Sequence, residues 1–354
     1  EHTDYNDGFV MPVSIGLSCW VAASARADRK LVLHSENLDE TIEIDFAAGP
    51  PPQAGRWSDY PLGVAVMLDQ VGVLLAGANL LIRSEVPLGG GLSSSAALEV
   101  ATACALTSVA GQSMDRAQSA RLCQRAEHEY AGLRCGIMDQ FVALHGASGH
   151  ALLLDCRSLD YTLLPLPEDL RLVTCHTMVK HALAATEYNQ RRAECEEAVR
   201  LLSTFLPGIH ALRDVSISEL EECGRGLPER IHRRARHVVT ENARTADAAT
   251  ALRDGDLARL GRRMAESHAS LRDEYEVSCP ELDLMVEIAA RQRGIYGSRM
   301  TGGGFGGCTV SIVDAHYAEA FGARVAAEYQ HVTGLRPQIF VLAAAPAAEE
   351  VALL

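Results

Sequence analysis

The chain has 354 residues, 48% of them hydrophobic and 22% charged, which is the usage of a globular protein and neither a disordered tail nor a coiled coil. Its formal charge is −14, with Lys30 and Lys180 its only lysines, which argues against a surface built to replace counterions on nucleic acid or on an anionic membrane. At roughly 100–200 residues per domain, two domains are expected. Ten cysteines are spread singly with no C-x-x-C pair, so they read as reduced thiols and small hydrophobes, with no zinc or redox centre. No window reaches the roughly 18 unbroken apolar residues of a membrane span, and no charged-then-apolar leader opens the sequence; a cytoplasmic monomer is expected.

In chain order, residues 13–24 alternate loosely, and residues 31–35 and 41–46 flank the polar turn Glu36-Asn-Leu-Asp-Glu40 as a hairpin. Gly49-Pro-Pro-Pro-Gln-Ala-Gly55 reads as a loop, followed by helical spacing over 57–70 at Leu62, Val66 and Met67. An apolar strand over 79–86 leads into Pro87-Leu-Gly-Gly-Gly-Leu-Ser-Ser-Ser-Ala-Ala97 and then an alanine-rich helix to Ala110. Ser113 is expected to cap a helix that runs to about Tyr130 and is ended by Gly132; a short helix follows Cys135-Gly-Ile-Met-Asp139 and stops at Gly146. Strands are expected at 151–155, 161–166 and 171–177, helices through most of 186–293, then a glycine loop at 302–307, a strand, a helix near 315–333 and a strand at 338–343. Strands and helices in blocks point to an α+β architecture.

Several backbone N–H groups must converge to hold a phosphate, and a helix start adds its positive dipole end. Gly89-Gly90-Gly91-Leu92 followed by Ser93-Ser94-Ser95 at a helix start supplies that arrangement, with three hydroxyls for oxygen or Mg2+ contacts. The lysine of a Walker A loop is missing. The alternative is a structural turn with Ser93 as N-cap. Gly302 to Gly307 formally satisfies G-x-G-x-x-G, but Thr309-Val-Ser-Ile-Val313 continues it as a strand where the dinucleotide fingerprint needs a helix. Its small residues would instead let the backbone approach a packed element or a ligand.

Ala120, Cys123, Glu127 and Tyr130 fall three or four residues apart on one helix face, placing Glu127 in an otherwise apolar stripe. It is either a cation ligand or a carboxylate paired with Arg121 or Arg125. Asp139 is either a helix cap or a reactive carboxylate at a helix start. The opening Glu1-His-Thr-Asp-Tyr-Asn-Asp7 is dense in acceptors and suits a many-hydroxyl ligand or a metal; the alternative is a frayed, charged terminus. His128-Glu129 lacks the second histidine of H-E-x-x-H, because Gly132 stands in its place.

Together these residues resemble the galactokinases of the GHMP small-molecule kinase family. Glu1-His-Thr-Asp-Tyr-Asn6 is similar to the galactokinase signature, Pro87 to Ala97 to the family's phosphate loop, Met300 to Gly307 to its third glycine motif, and Cys135-Gly-Ile-Met-Asp-Gln140 to the segment carrying its catalytic aspartate. The resemblance implies two domains, with a nucleotide- and sugar-binding domain at 1–166 like the second domain of ribosomal protein S5. A ferredoxin-like domain would follow at 167–354, with the active site between the two. It implies ATP as cosubstrate, Mg2+ as cofactor, and transfer to the anomeric hydroxyl of α-galactose.

On matching positions, Asp139 would be the catalytic aspartate. Glu1, His2, Asp4, Gly136 and Tyr188 would bind the sugar, and Trp57 would lie near adenine. Gly89, Gly90, Gly91, Leu92, Ser93, Ser94 and Ser95 would cradle the nucleotide, and Ser95 and Glu127 would hold Mg2+. An arginine in a strand ahead of Glu1 is also implied, and the sequence given begins after it. Phosphoryl transfer rests on positioning and charge stabilisation, so a glycine cradle, one metal and one carboxylate suffice without a lysine. Rival readings are a kinase for N-acetylgalactosamine or arabinose, and a non-catalytic galactose sensor.

Overall fold

Burial alternates along the third strand, with Leu31 and Leu33 inside and Lys30 and Val32 more exposed, and this period of two builds one face of a sheet. The computed structural model describes residues 1–46, 53–73, 76–180 and 184–351. It holds two compact units, which interleave along the chain.

The first unit comprises residues 17–88, 93–146 and 346–354. Its strands β2 (Cys19–Ala25), β3 (Lys30–Ser35), β4 (Glu40–Asp45) and β5 (Ala78–Ser84) lie in the order β2-β5-β3-β4, preceded in the chain by β1 (Phe9–Val10) of the other unit. The expected hairpin is present, with Ser35 opposite Glu40 and Lys30 opposite Asp45, whereas β3 and β5 run parallel. Residues 49–52 of the expected proline-rich loop lie outside the described residues.

Helices α1 (Asp59–Gln70), α2 (Ser94–Val109), α3 (Arg116–Ala126) and α4 (Met138–His145) pack on one another. Helix α1 is apolar on nearly every side from Leu62 to Leu68 and is buried to match. Asp115, not Ser113, caps α3: its carboxylate accepts the Gln118 N–H at 3.0 Å. The last turn of that helix widens over Glu127–Ala131 and ends on left-handed Gly132.

The second unit comprises residues 1–16, 89–92 and 147–345. Strand β1 pairs antiparallel with β6 (His150–Asp155), which pairs with β7 (Tyr161–Pro165). That pairing joins residues 1–16 and 147–166 to 167–345 in one compact unit. Strands β8 (Leu170–Lys180), β9 (Ile295–Thr301), β10 (Gly306–Asp314) and β11 (Gln338–Leu342) form an antiparallel sheet in the order β11-β8-β10-β9. That 4-1-3-2 order, reached through helical crossovers, is the ferredoxin-like arrangement. Helices α5 (Ala184–Leu202), α6 (Ile217–Cys223), α7 (Glu229–Arg253), α8 (Leu257–Asp273) and α9 (Pro280–Ala290) separate β8 from β9, and α10 (Ala318–Thr333) separates β10 from β11.

Met285, Ile288, Phe321, Val325 and Tyr329 of α9 and α10 bury against Val173 and Cys175 of the sheet. A second core joins Leu202, Leu212, Val238, Leu271 and Tyr275. No described helix is long and apolar enough to cross a membrane, and the cysteines form no disulfide among the described residues.

Candidate functional site

In the unit built on β2–β5, Ser93 precedes α2 in a left-handed conformation (φ 59°) and its side chain makes no capping hydrogen bond. The capped-turn alternative is therefore not what the chain adopts. The first N–H groups of a four-turn helix stay open to an anion, beside the half-buried Ser94 and Ser95.

Behind Ser95, three helices bring together Glu99 of α2, Glu127 at the end of α3 and Gln140 of α4. The Gln140 amide donates to Glu99 Oε2 at 3.0 Å and to Glu127 Oε2 at 2.7 Å, and the Cys135 thiol donates to the same Glu127 oxygen at 3.1 Å. Glu127 is 2% exposed and Glu99 fully buried. Burial pushes the Glu127 carboxyl up, against hydrogen bonds from Cys135, Ser95 and Gln140 that stabilise its anion. Glu99 is pushed well above the usual carboxylate range, first by burial and then by Glu127.

Arg125 does not neutralise Glu127. It pairs with Glu129 at 2.6 Å, and no ion pair reaches Glu127 among the described residues. A buried carboxylate beside a serine hydroxyl, with no cationic side chain, is a donor set that a hard divalent cation can use.

Asp139 stands in the first turn of α4, one residue past its start, so it is not the N-cap; that place is taken by Ile137. It is half-buried, follows buried Gly136 and Ile137, and gains from the positive end of the helix dipole as an anion. Trp57 lies on the turn before α1. Asp59 braces this turn by accepting the N–H groups of Ala54, Gly55 and Arg56. The half-buried Trp57 indole donates to Glu40 Oε2 at 2.8 Å.

In the other unit, Gly89–Leu92 lies against the second glycine loop. A methyl group on Gly302 (φ 77°) would sit 2.6 Å from the Gly91 carbonyl oxygen, and one on Gly307 would sit 2.9 Å from that of Gly90. The element that the 302–307 loop approaches is thus the backbone of Gly90 and Gly91. Its position is fixed by Thr177 Oγ1, which donates to Gly307 O at 2.9 Å, and by the Phe305 N–H, which donates to Val277 O at 2.7 Å.

The opening segment is folded in, not frayed. Glu1 receives Arg299 at 2.8 Å and the Thr301 hydroxyl at 3.0 Å on Oε1. Burial alone would raise its pKa; Arg299, with His2 and Thr301, draws it down. His2 is 4% exposed, and its pKa is lowered to about 3, chiefly by burial, so the ring is neutral. Its Nδ1 meets the Tyr5 hydroxyl at 2.8 Å, while Nε2 has no hydrogen-bond partner among the described residues.

The His2 ring lies 5.4 Å from that of Tyr188 on α5 and 4.8 Å from that of Tyr275. Asp4, half-buried in the turn Asp4–Asn6, has its carboxyl raised by burial.

The expected residues therefore fall into two sets, each assembled within its own unit: Glu1, His2 and Tyr188 in one, Ser95 with Glu127 in the other. Glu99, Gln140, Tyr5, Tyr275, Arg299 and Thr301 complete these sets and were not singled out from the sequence. Of these, Gln140 and Tyr5 lie inside motifs that had already drawn attention. Thr301 likewise falls in the Met300 to Gly307 motif, and Glu99, Tyr275 and Arg299 carry no local pattern.

Three family models match: "GHMP kinases N terminal domain" over residues 59–147, "GHMP kinases C terminal" over 248–331, and "Galactokinase galactose-binding signature" over 1–25. The chain is 48% identical over 343 residues to a galactokinase of Roseiflexus sp. (strain RS-1), covering 96% of this chain and 87% of that one. It is 48% identical over 326 residues to a galactokinase of Homo sapiens, covering 90% and 81%. The structure of Lactococcus lactis galactokinase complexed with galactose superposes with a TM-score of 0.94 at 36% identity, covering 99% of this chain and 92% of that one. A mevalonate kinase shares the fold with a TM-score of 0.62 at 18% identity, covering 97% and 94%.

Proposed function

The chain belongs to the galactokinases of the GHMP kinase family, and from that premise we propose how its residues carry out the ATP-dependent phosphorylation of α-D-galactose at its anomeric hydroxyl. It is a sugar kinase, a phosphotransferase with an alcohol acceptor, and the product is galactose 1-phosphate. The functional boundary proposed at residues 166/167 lies between the spans matched by the amino-terminal and carboxy-terminal family models.

Gly89, Gly90, Gly91 and Leu92 offer backbone N–H groups to the phosphates, and Ser93, Ser94 and Ser95 add hydroxyls and the open end of α2. Trp57 packs near adenine. Glu1, His2, Asp4, Gly136 and Tyr188 hold the sugar hydroxyls, a task that suits fixed acceptors and a neutral imidazole. Asp139 accepts the proton of O1 as that oxygen attacks the γ-phosphorus in line; the bond to the β-phosphate oxygen breaks and ADP leaves.

Mg2+ suits the donors present: Glu127 and Ser95 would hold it. A hard ion of this kind keeps water and takes only one or two protein oxygens beside substrate phosphates. When bound it supplies positive charge against the phosphate oxygens.

The observation that carries this assignment is the uncapped start of α2, backed by a buried carboxylate with no ion-pair partner among the described residues. The test is ATP consumption over a panel of galactose, N-acetylgalactosamine and arabinose. Turnover on galactose with a far higher kcat/KM than on the others supports the reading. ATP-independent binding of galactose without turnover overturns it in favour of a sensor.

A further inference from the structure

Resting on the reading that His2 binds the sugar, we infer that Tyr275 is a positioning residue that acts through Tyr5 to keep the His2 proton on Nε2, making this histidine a hydrogen-bond donor to a galactose oxygen. Four side chains form one file, with His2, Tyr275 and Cys195 buried and Tyr5 half-buried. The Cys195 sulfur lies 3.1 Å from the Tyr275 hydroxyl, that hydroxyl 2.6 Å from the Tyr5 hydroxyl, and the Tyr5 hydroxyl 2.8 Å from His2 Nδ1. Tyr275 is fully buried, and its backbone is fixed by Arg191, whose Nε donates to the Tyr275 carbonyl oxygen at 2.8 Å.

A phenol oxygen can accept twice while its own hydrogen turns away, but the arrangements that bond all three contacts and leave no phenol hydrogen unused run in one sense along the file. Run from imidazole to thiol, the file ends on sulfur, a weak acceptor. Run from thiol to imidazole, it ends with a phenol O–H on a ring nitrogen, pairing the more acidic donor with the stronger acceptor. The second sense wins. Nδ1 then accepts, so the single imidazole proton sits on Nε2, the atom that is buried without a partner among the described residues. The His2 ring is held edge-on to Tyr5 (75° between planes) and tilted against Tyr275 (41°), so its orientation is set together with its tautomer.

Tyr275→Phe keeps the ring that packs on His2 and removes only the hydroxyl. Tyr5 then loses its donor and is free to turn, and Nδ1 can recover the proton. The first readout is the imidazole 15N spectrum of the ligand-free full chain, with His2 identified by its loss in His2→Gln. Wild type is expected to show protonated Nε2 and bare Nδ1, and Tyr275→Phe to shift toward a mixture of tautomers.

The second readout is kinetic: a galactose KM raised roughly five- to tenfold with kcat within about twofold, the size of one lost neutral hydrogen bond. Should Tyr275→Phe fail to fold, Tyr5→Phe cuts the same file and is expected to give the same two changes. A wild-type spectrum with the proton on Nδ1 overturns the inference, as does a variant with unchanged tautomer and KM. A fall in kcat at constant KM overturns it too. Absence of galactose turnover by wild type would instead overturn the sugar-site reading, because the spectrum is taken without sugar.

Discussion

The Gln140 amide nitrogen lies 2.7 Å from Glu127 Oε2, in an interior where Glu127 is 2% exposed and no ion pair reaches it among the described residues. A neutral donor fixes the direction of a carboxylate without cancelling its charge, so the charge remains for a ligand to use. Glu127→Gln is accordingly expected to lower kcat/KM for ATP by about 100-fold, of the order seen when one electrostatic contact to the transferring group is lost. The Mg2+ concentration needed for half-maximal rate should rise as well. Because the variant removes a buried charge, its melting temperature should stay level or rise. A Mg2+ titration alongside a thermal melt checks both, and an unaltered Mg2+ requirement would contradict the assignment.

Asp139 is half-buried at the start of α4 and is proposed as the base for the sugar O1. Asp139→Asn should cut kcat by about 10²- to 10⁴-fold, the usual contribution of a positioned proton acceptor, while the galactose KM changes little. Steady-state kinetics at saturating ATP measures this. Turnover near that of wild type would remove Asp139 from the role.

Gly302 combines a positive φ of 77° with a 2.6 Å approach to Gly91 O. An alanine there meets both strain and backbone, at a cost of about 1–3 kcal/mol. Gly302→Ala should therefore lower the melting temperature and, by displacing Gly89–Leu92, raise the ATP KM roughly tenfold with little change in the galactose KM. The opposite pattern of KM changes would show that the loop serves the sugar.

Two buried histidines give the fold a pH dependence. Burial lowers His2 to about 3 and His237 to about 4, below the ordinary 6.5. Their contribution to stability is complete above about pH 6.5 and is lost as pH falls toward those values. Each removes up to about 1.4 kcal/mol per pH unit in that window. His237, which bonds Ser270 Oγ at 2.8 Å and the Glu1 carbonyl oxygen at 3.1 Å, can be replaced by glutamine. Denaturant unfolding of His237→Gln between pH 4 and 7 should show a shallower slope than wild type.

What the sequence revealed was local. The hairpin around residues 36–40, the strand, glycine loop and helix at 79–110, and the helices of 186–293 all follow from periods and punctuation readable within a dozen residues. The cap of α3 did not, because Ser113 and Asp115 are both good caps and only the observed bond from Gln118 separates them. The state of the first seven residues was undecidable for another reason: Glu1 is held by Arg299 and Thr301, nearly the whole chain away. Glu127 showed itself as a charge on an apolar face, yet Glu99 and Gln140, which define its surroundings, arrive from two other helices. Tyr275 sits in the charged run Asp273-Glu-Tyr-Glu276, with nothing local to mark it as the partner of Tyr5.

The pairing of β1 with β6, and of Glu1 with the end of β9, also sets an order of events during synthesis. Residues 17–146 hold most of one compact unit and can begin to fold while the remainder is still being made. The Glu-His-Thr-Asp segment must wait longer: Arg299 and Thr301, which hold Glu1, follow it by nearly the whole chain, and closing so long a loop is slow. A chain terminated before Thr301 would thus carry Glu1 without the side chains that hold it, and ligand competence at that segment should arrive only once β9 is made.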